Sequence, residues 1–181
     1  MKSLFSLLLC LFLGTQINAQ ITKVSLQASG LTCSMCSKAV KSALEEVSFV
    51  EKVMVDIKKQ QYNLTFKQGQ QVDLDALSKA VEDAGFSVAA LKVTADVAGV
   101  EVAKDEHVKI GDQYFHFLNA KTGQLNGSTT FNIVDKSFVS EKEAKKWSSA
   151  SKMECVKTGR AAACCTSDGV AAQARVYHAI M

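Results

Sequence analysis

The chain has 181 residues, of which 48% are hydrophobic and 22% charged, with a formal net charge of +3. That length holds one or two domains, and a small charge spread over both halves leaves no basic footprint for nucleic acid. Six cysteines stand against no proline at all, so the chemistry to look for is that of thiols.

Residues 1–19 read as a secretory signal peptide. Lys2 supplies the positive start, Leu4 to Leu13 the apolar run, and Gly14 to Ala19 a small or polar exit. The run is too short to span a bilayer as a stable helix. Leu9 is too large for the residue preceding a lipidated Cys10. Cleavage after Ala19 leaves Cys33, Cys36, Cys155, Cys164 and Cys165. An odd number of cysteines in an oxidising compartment leaves at least one free, metal-bound or paired with another chain. No later stretch is long and apolar, so the expectation is a periplasmic or secreted protein without membrane insertion after cleavage.

Residues 20–94 read as one domain. Ile21 to Ala28 alternates, with Val24, Leu26 and Ala28 on one face, as a half-buried strand does. Ser29-Gly30 breaks it. Val40, Ala43, Leu44 and Val47 then form a helical apolar stripe. Val53, Val55 and Ile57 alternate, Lys58 to Gln61 turn, and Tyr62, Leu64 and Phe66 alternate again, which predicts a hairpin. Asp73 or Asp75 opens a second helix with Leu74, Leu77, Ala80 and Val81 inside, and Gly85 stops it. Phe86 to Val93 is the last strand. The order β-α-β-β-α-β is the split βαβ arrangement of the ferredoxin-like fold. In that topology the loop after the first strand and the loop before the last emerge at one end, which places Phe86 near Cys33 and Cys36.

The pair Cys33-Ser34-Met35-Cys36 sits where the first strand passes into the first helix. Two thiolates select soft ions such as Cu(I), Ag(I) and Hg(II), which two sulfurs satisfy in near-linear geometry. Zn(II) wants four ligands, and no further Cys or His lies close in sequence. The helix N-terminus lowers the pKa of Cys36. The same setting could drive thiol-disulfide exchange, but Thr32 precedes the first cysteine and there is no proline to face it. Met35 could offer a thioether, although neighbouring residues at a helix start diverge.

Gly30-Leu31-Thr32-Cys33-x-x-Cys36, the helix behind it and Glu82-Asp83-Ala84-Gly85-Phe86 together resemble the heavy-metal-associated domain of copper chaperones, copper-transporting ATPases and the periplasmic mercury-binding protein. The resemblance covers under half of the chain. Leu31 stands where that family usually has methionine, a swap that preserves core volume. It implies that Cys33 and Cys36 are the metal ligands, that Phe86 shields them, and that the partner is a metal donor or acceptor such as a metal-transporting ATPase or an efflux system.

Residues 95–181 read as a β-rich second domain. Ala95 to Gly99 looks like a small-residue link. Gly111-Asp112 turns, Tyr114 to Leu118 and Thr129 to Val134 are strand-like, and Ser140-Glu141-Lys142-Glu143 is a capping box opening a short helix through Trp147. Met153 to Lys157 and Ala171 to Ile180 read as two more strands. Three strands, a helix and two strands resemble the layout of a small OB-like barrel. Cys155, Cys164, Cys165 and His178, with Met181 nearby in sequence, are candidates for either a structural disulfide or a second soft-metal site. His107 and His116 read as surface or sheet residues. The fold class is thus α+β. The expected function is a non-enzymatic, exported binder of Cu(I), or of silver or mercury, that passes the ion on by ligand exchange. Its rivals are a periplasmic thiol-disulfide oxidoreductase and a metal-sensing docking module for an efflux transporter.

Overall fold

A computed structural model describes residues 19–181. Residues 1–18, with Cys10 and nearly all of the leader assigned from sequence, lie outside it. The first half follows the expected order: β1 (Gln20–Ser29), α1 (Ser34–Glu45), β2 (Val50–Asp56), β3 (Gln61–Phe66), α2 (Leu74–Asp83) and β4 (Ser87–Val102). These strands lie in the order β2-β3-β1-β4, all antiparallel, which is the ferredoxin-like sheet. Val24, Leu26, Tyr62 and Leu64 face the core with Val40, Leu44, Leu77 and Val81 of the helices. Ile57, read with Val53 and Val55 as part of one alternating strand, falls just past the end of β2 and is exposed.

Capping explains the limits of α2. The Asp73 carboxylate accepts hydrogen bonds from the Asp75 and Ala76 amides at 2.9 and 3.2 Å. At the other end the Gly85 amide donates to Glu82 and the Phe86 amide to Val81, with Gly85 at φ +87°. This Schellman arrangement needs a left-handed residue, which glycine adopts without Cβ strain.

The second half departs from the sequence reading. Ala95 to Gly99 is not a link. It continues β4, which pairs with β1 on one side and with β7 (Gly123–Ile133) on the other. A division at residues 94/95 therefore falls inside a strand. The strand propensity of Ala and Gly is poor, but Ala95 and Val97 are buried and the ladders on both sides override it. Gly99, at φ +66°, sits where the β4–β7 register shifts between Val97 and Val100, as a bulge residue does.

No OB-like barrel forms among the described residues. β5 (Glu106–Ile110), β6 (Gln113–Phe117), β7 and β8 (Val176–Ile180) extend the same sheet, whose full order is β2-β3-β1-β4-β7-β8-β6-β5. β8 runs parallel to β6 and antiparallel to β7. The physical reason is the length of β4. Its free edge, exposed in an isolated ferredoxin-like sheet, is a template for pairing, and β7 takes it. α3 (Glu141–Ser148) is the expected short helix, with the Ser140 hydroxyl accepting from the Glu143 amide. Met153 to Lys157 is not a strand. Cys155–Thr158 forms a helical turn, α4, ended by Gly159 at φ +69°, and α5 spans Ala163–Thr166. No helix among the described residues is long and apolar enough to cross a membrane.

Arg175 is among the side chains that join the two halves. Arg175, before β8, makes a forked pair with Asp75 of α2 at 2.7 and 3.1 Å and donates to the carbonyls of Val176 and Gly159. Its guanidinium also lies over the Tyr177 ring. Forked Arg–carboxylate pairs are the strong, geometry-specific kind. Replacing Arg175 with Met is expected to cost about 2 kcal/mol and to lower the melting temperature by about 4–8 °C, as read by circular dichroism.

Candidate metal centres

Cys33 is the N-cap of α1, and its sulfur accepts the Cys36 amide hydrogen bond at 3.2 Å. The two sulfurs lie 2.7 Å apart. Cys33 is exposed and Cys36 half-buried, while Met35 points into solvent. The Cys33 side chain, hydrogen-bonded to Cys36, lowers the Cys36 pKa from its ordinary value, with further help from Thr32. A thiolate at this position persists to lower pH than a free cysteine would allow. Alkylation of the metal-free, reduced protein by iodoacetamide is therefore expected to reach its half-maximal rate at Cys36 below the ordinary thiol pKa, as followed by peptide mass mapping.

The surroundings hold this loop in place. The Tyr62 hydroxyl, on buried β3, bonds the Ser37 hydroxyl at 2.9 Å and donates to the Ser37 carbonyl. That pins the first turn of α1 to the sheet. Leu31 packs against the main core. Gly30, at φ +83°, leaves the chain free to turn, and a Cβ built there would lie 3.7 Å from the Phe86 ring. Phe86 thus stands at the loop's end of the sheet, where the topology places it.

A second cluster lies at the far side of the sheet. His107 pairs with His116 across β5 and β6, and His116 with His178 across β6 and β8. Directly paired residues share a face, so the three imidazoles form a row, with ring centroids 4.7 and 5.3 Å apart. Phe115 and Phe117 alternate to the other face and enter the main core. The histidine face is covered by the segment carrying α4 and α5, which has its own small core of Cys155, Ala161, Cys165, Val170 and Val176.

Cys155 Sγ lies 3.6 Å from both His107 Nε2 and His116 Nδ1, and all three residues are buried. Each imidazole is held from behind by a carboxylate. His107 Nδ1 is 2.7 Å from Asp168, His116 Nε2 is 3.2 Å from Asp105 and His178 Nδ1 is 2.7 Å from Asp135. Burial, with His178 and His107 alongside, pulls His116 down to about 4. Burial, with Cys165 alongside, pushes the Cys155 thiol up.

The four residues named from sequence for this region are thus only partly brought together. Cys155 is central, and Cys165 packs with it in the small core. Cys164 is exposed, with its sulfur 3.7 Å from that of Cys165. All five described cysteines are free thiols, so no structural disulfide joins Cys155 to Cys164 or Cys165. His178 extends the row. Met181 is exposed, and its backbone bonds Asn119. His107 and His116, read from sequence as surface or sheet residues, are buried beside Cys155. A signal for them was present. Gly111-Asp112 is a two-residue hairpin turn, and counting outward from it sets position 107 opposite position 116.

A ferredoxin-like sheet carrying two thiols at a helix start defines an α+β metal-binding domain. The heavy-metal-associated domain family matches residues 25–87. The mercuric transport protein periplasmic component of Salmonella typhi is 36% identical over 86 residues, covering 48% of this chain and 93% of that protein. A copper-transporting ATPase of Helicobacter pylori is 34% identical over 65 residues, 36% of this chain and 9% of that protein. Among solved structures, oxidized MerP from Ralstonia metallidurans CH34 shares 38% identity over 39% of this chain and 96% of its own, with a TM-score of 0.33. The chain belongs to the heavy-metal-associated domain family, and its first half is a heavy-metal-binding domain.

Proposed function

We propose that this protein is an exported carrier of soft metal ions, with Cu(I) as its preferred cargo and Ag(I) or Hg(II) as alternatives, and that it is not an enzyme. The observation that carries the reading is the pair of sulfurs at 2.7 Å on an exposed loop, with one of them tuned toward thiolate. Two thiolates hold a soft ion such as Cu(I) through two metal–sulfur bonds. The open side of the loop lets a thiolate from a partner make a third bond to the ion. One of the two cysteines then leaves, and a second exchange completes the handover. No covalent bond of a substrate is broken. The partner would be a metal donor or acceptor, such as a metal-transporting ATPase or an efflux system. Export rests on the leader-like residues 1–19, and the periplasmic name of a close relative supports it.

The test is anaerobic titration of the reduced protein with Cu(I) against a chromophoric chelator. The carrier reading requires a tight equivalent that disappears when Cys33 and Cys36 are oxidised to a disulfide and returns on reduction. Binding indifferent to the redox state of this pair would refute it. So would efficient reduction of insulin disulfides by a protein that ignores the metal.

A further inference from the structure

The row of histidines belongs to no function of the loop. It lies on β5, β6 and β8, beyond residues 25–87 that the family match covers. Buried imidazoles stacked across three strands need a reason, because each removes polar nitrogens from water.

Their hydrogen bonds supply one. A carboxylate accepts only, so the nitrogen facing Asp168, Asp105 or Asp135 carries the proton. That fixes the tautomer of each ring and leaves the opposite nitrogen with a bare lone pair: Nε2 of His107, Nδ1 of His116 and Nε2 of His178. The first two point at Cys155 Sγ from 3.6 Å each. The third is buried with no hydrogen-bond partner among the described residues. Carboxylate–histidine pairs of this kind are the outer shell of metal sites. The spacing agrees. Metal bonds of about 2.3 Å to sulfur and about 2.0 Å to nitrogen, opened to between tetrahedral and trigonal angles, set sulfur and nitrogen about 3.6 Å apart.

We propose that His107, His116 and Cys155 form a second, buried site for a copper ion, held as Cu(I) by two imidazoles and one thiolate. Three converging donors suit trigonal copper, whereas a structural Zn(II) site takes four. The Cys155 thiol releases its proton to solvent as the Cu–S bond forms, so one thiolate balances the charge of one Cu(I), and burial then favours the neutral complex over the separated ion. His178 closes the row with its free Nε2 beside His116. Cys165 shares the small buried core with Cys155, and exposed Cys164 lies next to Cys165. These two thiols form a route from solvent to the site, by the same ligand exchange that serves the loop.

The experiment removes the loop first. The full mature chain with Cys33→Ser and Cys36→Ser is titrated anaerobically with Cu(I) against a chromophoric chelator, and the loaded protein is examined by X-ray absorption at the copper edge. The expected result is one equivalent with one sulfur and two nitrogen ligands. Adding His116→Gln lowers that affinity by at least tenfold while the circular dichroism spectrum is kept, and adding Cys164→Ser leaves the stoichiometry unchanged. Absence of any bound copper in the folded double variant overturns the proposal. An all-sulfur copper environment overturns it too, by assigning the ion to Cys164 and Cys165. Tight Zn(II) binding without Cu(I) binding overturns the assignment to copper.

Discussion

Replacing Cys33 and Cys36 together with serine is expected to abolish tight Cu(I) binding at the loop and leave the fold intact. Both sulfurs face solvent or its margin, and serine at 33 puts a hydroxyl oxygen where the Cys33 sulfur now accepts the Cys36 amide; serine is a preferred N-cap residue. The melting temperature should therefore hardly move. The hydroxyl, by contrast, is a hard, protonated donor that a soft ion rejects. The loss of affinity should be at least about a thousandfold, well beyond the ~10–100-fold that losing an outer-shell partner costs. Either single variant keeps one thiolate and should retain weak binding that exchanges faster. A double variant that carries its loop equivalent with unchanged affinity would place the ion elsewhere and end the carrier account. The buried histidine–cysteine site does not confuse this measurement, because its nitrogen ligands give a different absorption edge from a pair of thiolates.

The largest loss of stability is expected from Phe131→Ala. Phe131 lies on β7 opposite Val93 of β4 and meets Phe115 and Phe117 of β6 edge-on at 5.2 and 5.3 Å. It is 1% exposed. Truncating a buried phenylalanine costs about 3–5 kcal/mol in lost transfer energy and residual cavity, a large part of the ~5–15 kcal/mol that holds a domain folded. The melting temperature should fall on the order of 10 °C. The shape of the transition is equally informative. β4 belongs to both halves, and one hydrophobic core runs from Val24 to Ala179, so calorimetry should show a single transition that shifts as a whole. Two transitions, of which only one moves, would show that the halves unfold separately.

The first half of the fold was legible because each of its elements has a local cause. Alternation marks the strands, a stripe of Val40 and Leu44 marks α1, and Asp73 and Gly85 bracket α2. The loop site was legible for the same reason. Its two ligands sit three residues apart, and their chemistry depends on a helix start that the local pattern predicts. The extent of β4 was not legible, since Ala95 to Gly99 has the composition of a link and becomes strand only because β1 and β7 pair with it. Met153 to Lys157 misled in the opposite direction. Its short apolar alternation fits strand or helix, and the left-handed Gly159 settles it as a helical turn.

The second cluster divides along the same line. The cross-strand pairing of His107 with His116 follows from a two-residue turn and could be counted from the chain. Cys155 reaches them only by folding α4 back over β5 and β6, and His178 joins them only through a parallel pairing of β8 with β6 that sets it beside His116, far away in sequence. Local spacing determines which residues share a turn or a face, because the backbone repeat is short and regular. Which distant strands become neighbours depends on how the whole chain buries its apolar faces. In this protein that second choice brings two scattered imidazoles and one thiol into a single set of converging donors, with a third imidazole alongside.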